Sequence, residues 1–371
     1  MGTSPPPQHH LQTKHHLLRW PLHGLRPQLN PRALLGLGLC GLAWGVAMAP
    51  LSQPLEGALR VSALSFVLQG NEGEPNGPLQ GFLALPLRSL SIKGLGDGAA
   101  GPSLVLPLSG QRLALTGGSS LILSATAPDS LGMRLALPPG TRIKNLQLEG
   151  KDQLVLDLLP PRQGARGQGA PSGAAPELTI TPPIAEASPD KGPAGGLQAV
   201  FQQPGSAAKR ITPPQAEFPL LLAGATRLRL QRADSKSQTV FESNLPVGDV
   251  QFISEGSSLF DQSPITLSTL RAGTLHLGRQ QPLSLRPDQF LRLDPPGIGV
   301  ITSLRADQGQ LAVEVVGQTV RIRSGLSLKH PTTDLQGTLL SRHLSPDQIS
   351  AFFGFLAGVI SSLVLTLFKG E

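Results

Sequence analysis

The 371-residue chain has one cysteine and no tyrosine, and no acidic residue precedes Glu56. Each shortage removes a class of explanation. With Cys40 alone there is no intrachain disulfide and no cysteine-based metal set. Cys40 lies in mid-run among apolar residues and reads as a buried apolar side chain. A lipoprotein site would place it at the end of that run after a small residue, whereas Leu39 precedes it. Both tryptophans, Trp20 and Trp44, lie near the N-terminus, so the middle of the chain offers only Phe for stacking. A sugar-binding face ordinarily uses Trp or Tyr, which join an apolar ring to a polar handle, so glycan binding is disfavoured. Outside the N-terminal tail only His276, His330 and His343 remain, too widely spaced to suggest a metal centre. The tail histidines (His9, His10, His15, His16 and His23) sit among prolines with nothing to hold a ligand geometry.

What the chain does have is two long apolar runs. Ile349 to Phe368, in "SPDQISAFFGFLAGVISSLVLTLFKGE", is uncharged over 20 residues, about 30 Å of helix and the thickness of a bilayer core. Ser345 suits the N-cap, Pro346 the first helical position, and Gln348 completes a capping box. Asp347 adds a negative charge to the first turn, where the helix dipole favours it. This predicts a transmembrane helix over 345–368, with Lys369 opening a cytoplasmic end, 369–371. Ser350, Gly354, Gly358 and Ser362 recur four apart and stack on one side, a face on which membrane helices can approach closely. The second run, Ala33 to Ala49, gives a transmembrane helix over 33–51 with a small-residue pair at Gly41 and Gly45. Lys14, Arg19, Arg26 and Arg32 precede it, and this unopposed positive charge places the N-terminus in the cytoplasm. "AMA" at Ala47 to Ala49 has the look of a signal-peptide cleavage site, but the run exceeds the usual signal core and Pro50 would follow the cut. An uncleaved anchor is the favoured reading.

Residues 1–32 then form a disordered basic cytoplasmic tail, and two spans put residues 52–344 outside the cytoplasmic membrane. That loop carries 26 Lys plus Arg against 22 Asp plus Glu. Its basic residues form no stripe with interleaved aromatics, which argues against nucleic-acid binding. Residues 160–216 hold eleven Pro and eight Gly, a composition that buries too little to offset chain entropy, and read as a disordered linker. Within it "ELTITPP" is β-prone and could dock on a neighbouring sheet. The flanks, 52–159 and 217–344, alternate apolar and polar residues in runs such as "RLRLQR", "TLHLG", "FLRLD" and "TRIKNLQLEGKDQLVLDLLP". "QLAVEVVGQTVRIRSG" reads as a hairpin broken at Gly317. The expected fold class is mainly β: two sandwich-like or jelly-roll-like regions separated by the linker, or one sheet system interrupted by it, between an N-terminal and a C-terminal membrane helix.

Motifs that resemble chemistry lack their context. "GDGAAG", Gly96 to Gly101, satisfies G-x-G-x-x-G, but Pro102 and another strand follow where a nucleotide site needs a helix. "SAAK", Ser206 to Lys209, matches S-x-x-K inside the Pro/Gly segment, without partner motifs. Acidic residues are scattered singly, so no carboxylate pair can be nominated. The sequence therefore gives no support for an enzyme, a cofactor or an identifiable small-molecule ligand.

Two end anchors around a large outer loop, with a glycine-patterned second helix in "ISAFFGFLAGVISSLVLTLF", is similar to the layout of bacterial polysaccharide co-polymerases, which set glycan chain length. The likeness covers the topology and that helix. It departs in the outer region, which is rich in long helices in that family and β here. The expectation is a structural or assembly module of the cell envelope, whose partners are the lipid bilayer and other membrane or envelope proteins, including a second copy of itself. The alternative is a component of envelope transport or of polysaccharide or lipid biogenesis, for which a wide apolar groove between sheets would speak. A channel subunit ranks last, because Ser361, Ser362 and Thr366 are the only polar lining on offer.

Overall fold

The computed structural model describes residues 31–70, 79–96, 105–108, 111–115, 117–126, 130–161, 175–183, 196–213, 216–233, 239–257, 264–295, 299–327 and 329–368. They form a mainly β protein with large antiparallel sheets. The chain divides into two compact units. One, to Gly45 and from Ala351, contains most of helix α1 (Pro31–Ala47) and of the C-terminal helix α3 (Pro346–Phe368). The other, Val46–Ser350, contains the strands and the short helix α2 (Leu339–His343).

Among the described residues one helix is long and apolar enough to cross a membrane, Pro346–Thr366. Its start follows the expected box: the Ser345 N–H donates to Gln348 Oε1 (2.9 Å), and the Gln348 N–H donates to Ser345 Oγ (3.4 Å). The expected first span is shorter than drawn. α1 stops at Ala47, giving 17 residues, or about 25 Å at 1.5 Å per residue. Pro50, which follows, forms a β-bridge with Thr338 and belongs to the β unit.

The N-terminal flank supplies β1 (Gln53–Val61), β2 (Ala63–Leu68), β3 (Leu79–Gly94), β4 (Val105–Leu108), β5 (Gln111–Ala114), β6 (Ser120–Ala125), β7 (Leu131–Leu137), β8 (Arg142–Glu149) and β9 (Gln153–Leu159). The Pro/Gly-rich segment supplies β10 (Glu177–Thr181), β11 (Leu197–Gln202) and β12 (Lys209–Ile211). Beyond it come β13 (Phe218–Leu221), β14 (Thr226–Arg232), β15 (Thr239–Gln251), β16 (Ile253–Ser257), β17 (Pro264–Ser268) and β18 (Leu270–Leu277). The last are β19 (Leu283–Leu285), β20 (Phe290–Asp294), β21 (Gly299–Asp307), β22 (Gln310–Thr319), β23 (Arg321–Gly325) and β24 (Thr333–Gln336).

Nineteen strands form one sheet. Followed through its neighbours it runs β19, β18, β1, β22, β21, β15, β2, β8, β9, β14, β3. At β3 it forks. Leu79 to Leu87 pair with β7, which continues through β10, β13, β4 and β5. Ser89 to Lys93 pair with β6, which continues through β11 and β12. A three-stranded sheet, β20, β23 and β24, and the hairpin β16–β17 complete the unit.

This topology bears on three expectations. Of the two expected arrangements, one sheet system is found and not two separate regions, because strands of the two flanks are interleaved. β1, from the first flank, lies between β18 and β22 of the second, and β14, from the second, lies between β3 and β9 of the first. Nor is 160–216 a linker throughout. Leu178 and Ile180 of β10 are fully buried, as are Ala199 and Phe201 of β11 to within a few per cent. Prolines and glycines dominate that window's average and mask short strands whose alternate residues still reach the core. The "QLAVEVVGQTVRIRSG" hairpin is also absent. β22 continues through Gly317, and at Val320 the chain passes to β23 in the three-stranded sheet, so the two runs pair with different partners.

Period-two patterning does set which side chains go inward. β14 buries Leu228 and Leu230 and turns Arg229 outward, and Leu55, Leu59 and Val61 do the same on β1. Burying each such side chain contributes about 1.5–3 kcal/mol. Between the main sheet and the three-stranded sheet, Leu55, Leu59, Phe252, Leu275, Leu291 and Val315 line a residual gap of about 20 Å³. That is room for a water molecule, so the seam is a filled core.

The two ends of the β unit are held side by side. Beside the Pro50–Thr338 bridge, the Leu51 N–H donates to the Gly337 carbonyl (2.9 Å). Gln53, with no exposed surface, donates through Nε2 to the Thr338 carbonyl (2.7 Å) and to Ser341 Oγ (2.9 Å). Thr338 and Ser341 form the capping box that starts α2. Any side chain at Gly337 would collide with the Leu51 carbonyl, which requires glycine there.

A candidate binding cleft at a double bulge

β2 is flanked by β8 and β15, and both neighbours bulge at the same place. On β8 the register steps from Leu64↔Leu146 to Phe66↔Ile143, so an extra residue opposes Ser65. On β15 it steps from Val67↔Gly248 to Ser65↔Gln251. Each bulge contains a non-glycine residue in the left-handed region, Asn145 (φ 51°) and Asp249 (φ 50°). Asn and Asp tolerate that conformation better than other side chains, because their short polar groups can bond locally. Bulges of this kind re-aim side chains and gather near functional sites, and strained backbone persists only where its surroundings hold it.

Asn145 is held from two sides. Its N–H donates to Ser65 Oγ (3.1 Å), and its Nδ2 donates to Asp157 Oδ2 (3.1 Å). Asp157, on β9, is 6% exposed and also accepts from Arg227 Nε (2.6 Å) and Nη2 (2.9 Å) across the β9–β14 pair. The hydrogen bond to Asp157 raises the Arg227 guanidinium above its ordinary pKa, so the pair stays ionised. On the other wall, Asp249 Oδ1 accepts from Gln251 Nε2 (2.9 Å).

Between the bulges lies a cleft of about 350 Å³. Arg142 and Lys144 stand on its β8 side, and Asp249, Gln251 and Glu255 on its β15–β16 side. Ser65 and Val67 of β2 contribute to its lining. Ile143, between the two basic residues, is fully buried, so the strand alternation points Arg142 and Lys144 away from the core. The side chains of Arg142, Lys144 and Glu255 have no hydrogen-bond or ion-pair partner among the described residues. Cations and anions thus face one space without neutralising each other.

None of these residues was singled out in the sequence. The signal available was an Asn or Asp interrupting an alternating strand, in "IKNLQL" and "VGDVQF". The small residues expected to pack the membrane helices lie on α1 and α3. Ser350, Gly354, Gly358 and Ser362 on α3 and Gly41 and Gly45 on α1 are all exposed. A Cβ built on Gly41, Gly45, Gly354 or Gly358 meets nothing within 4 Å. The contact between α1 and α3 uses other positions: the Trp44 and Phe353 rings lie 4.6 Å apart, and Leu363 would approach a Cβ at Gly36 to 3.2 Å. Lys14, Arg19, Arg26 and Lys369 lie outside the described residues, and Arg32 falls in the first turn of α1. Most of "GDGAAG" is likewise outside them; "SAAK" occupies the exposed turn entering β12. His276, His330 and His343 are exposed, and no group of three metal-ligating side chains occurs among the described residues.

No protein-family model, no curated protein and no solved structure matches the chain.

Proposed function

We propose that the chain is a membrane-anchored β protein of the cell envelope, a structural or assembly module that acts through contacts with other envelope proteins or with a second copy of itself. The observation that carries this reading is α3. It is 23 residues long and leaves large apolar side chains exposed, as at Phe355 (71%) and Leu365 (60%). Exposed apolar surface of that extent suits lipid and not water. α1, with Leu35, Leu39 and Leu42 each at least 60% exposed, offers a second apolar surface. At 17 residues it sits at the short limit for a span. The paired ends of the β unit support a reading in which both helices serve as anchors, with both termini cytoplasmic and residues 52–344 outside as the proposed topology. The filled seam between the sheets favours an assembly role over carriage of a lipid chain.

Reporter fusions at residue 5 and after Glu371 should both read as cytoplasmic. A mature N-terminus at Pro50 or beyond would overturn the two-anchor topology. The unoccupied glycine face of α3 provides the test of assembly. Gly354→Leu with Gly358→Leu keeps the helix apolar, so it should still fractionate with membranes but lose a detergent-stable complex. Assembly indistinguishable from wild type would reduce α3 to an anchor.

A further inference from the structure

We propose that the double-bulge cleft binds a small net-neutral zwitterion, a ligand with one anionic oxygen group and one primary ammonium. The inference starts from the four charges. Arg142 and Lys144 on one side and Asp249 and Glu255 on the other sum to zero, which matches a ligand without net charge. Had these residues a purely structural role, the side chains would gain by pairing across the gap. Instead β2 lies between the two walls, and about 350 Å³ stays open between them, within the range of small-ligand pockets. A bound zwitterion supplies the missing partner to each wall: its anion accepts from Arg142 and Lys144, and its ammonium donates to Asp249 and Glu255. The amide of Gln251 and the hydroxyl of Ser65, both in the lining, offer further hydrogen bonds.

The kind of cation follows from what the cleft lacks. Quaternary ammonium groups are recognised by aromatic cages; among the described residues the only aromatic ring in the lining belongs to Phe66, which is buried at 1% exposure. Carboxylates select N–H donors, so a primary ammonium fits and a trimethylated one does not. Two sources share this chemistry, a free amino acid and a phosphoethanolamine headgroup with its phosphodiester. Both are monoanionic at one end and carry –NH₃⁺ at the other.

The test uses the full chain in a nonionic detergent and calorimetric titration with L-alanine, glycerophosphoethanolamine, glycerophosphocholine, acetate and ethanolamine. At least one of the first two should bind, and which one identifies the source. Glycerophosphocholine and the single-charge compounds should bind at least about tenfold more weakly, the scale of one lost charge-assisted hydrogen bond. Arg142→Gln with Lys144→Gln should weaken binding by about the same factor, as should Asp249→Asn with Glu255→Gln. Asparagine keeps both the left-handed backbone and the acceptor for Gln251, so that pair tests charge without disturbing the bulge, and unchanged far-ultraviolet dichroism confirms the fold. The proposal is overturned if neither zwitterion binds at millimolar concentration, if glycerophosphocholine or a single-charge compound binds as well, or if both wall variants bind like wild type. In each of those cases the four charges are solvated side chains on an open sheet face.

Discussion

Replacing Asn145 by alanine and, separately, by glycine divides its role into backbone and side-chain parts. Both substitutions delete the Nδ2 bond to Asp157 and leave the backbone N–H bond to Ser65 in place. A hydrogen bond to a charged group is worth about 1.5–3 kcal/mol. The low end applies here, because Asp157 keeps both Arg227 donors. Alanine must also hold φ at 51°, which costs an L-residue about 1–2 kcal/mol. Glycine avoids that cost, but its freer unfolded chain removes about 0.4–1 kcal/mol. The net expectation is that Asn145→Gly is about 1 kcal/mol more stable than Asn145→Ala, with both below wild type. Urea unfolding of the full chain in nonionic detergent, followed by far-ultraviolet dichroism, reads the order directly. Alanine equal to or better than glycine would mean that residue 145 does not hold a left-handed backbone, and the double bulge as described would fall with it. Asp249, at φ 50°, should give the same order.

Three further outcomes follow from the fold. Gly36→Leu should separate α1 from α3, since a Cβ there already meets Leu363; quenching of Trp44 fluorescence by added acrylamide should rise, and unchanged quenching would contradict the contact. Asp334, which accepts from Arg321, is held below the ordinary carboxylate range by that hydrogen bond. A depressed folded pKa stabilises above the unfolded value of about 3.9 and loses that contribution as pH falls through the lower folded value. Both side chains are about 40% exposed, so the effect is small. Arg321→Gln should narrow the gap between unfolding midpoints at about pH 5 and pH 3, and an unchanged gap would count against the pair. Finally, cleavage between Thr181 and Leu197 should leave two products that separate in denaturing gels yet co-elute under native conditions, because β1 and β14 are each embedded among strands of the other flank; separate native peaks would refute that interleaving.

Local pattern was legible in the sequence, and partnership was not. "RLRLQR" announces a half-buried strand because alternation needs only the residues themselves. That β14 inserts between β3 and β9 depends on residues far away along the chain, and many leucine-bearing strands here present near-identical inward faces. Composition misled in 160–216 for a related reason: two or three inward side chains suffice to seat a short strand, too few to shift a 57-residue average. "QLAVEVVGQTVRIRSG" misled because a glycine in an alternating run signals a turn as readily as close backbone approach. Here Gly317 lies opposite Gly299, and the chain changes sheet three residues later, at Val320. The α3 cap was readable since all its atoms come from four consecutive residues. The cleft was readable only in part, as Asn and Asp interrupting two strands, because the coincidence of both bulges at Ser65 exists only after pairing.

The bonds joining Pro50, Leu51 and Gln53 to Gly337, Thr338 and Ser341 also have a mechanical meaning. Gln53 and Thr338 are 285 positions apart, yet a 2.7 Å hydrogen bond joins them. Tension drawn between the two ends of the β unit therefore passes across this short clasp and bypasses the sheet. The first event under load is the opening of a few hydrogen bonds, while β2, β8 and β15 carry no stress. The cleft on β2 thus sits in a mechanically shielded part of the chain, and its shape is independent of pulling at the two ends of the β unit until the clasp has given way.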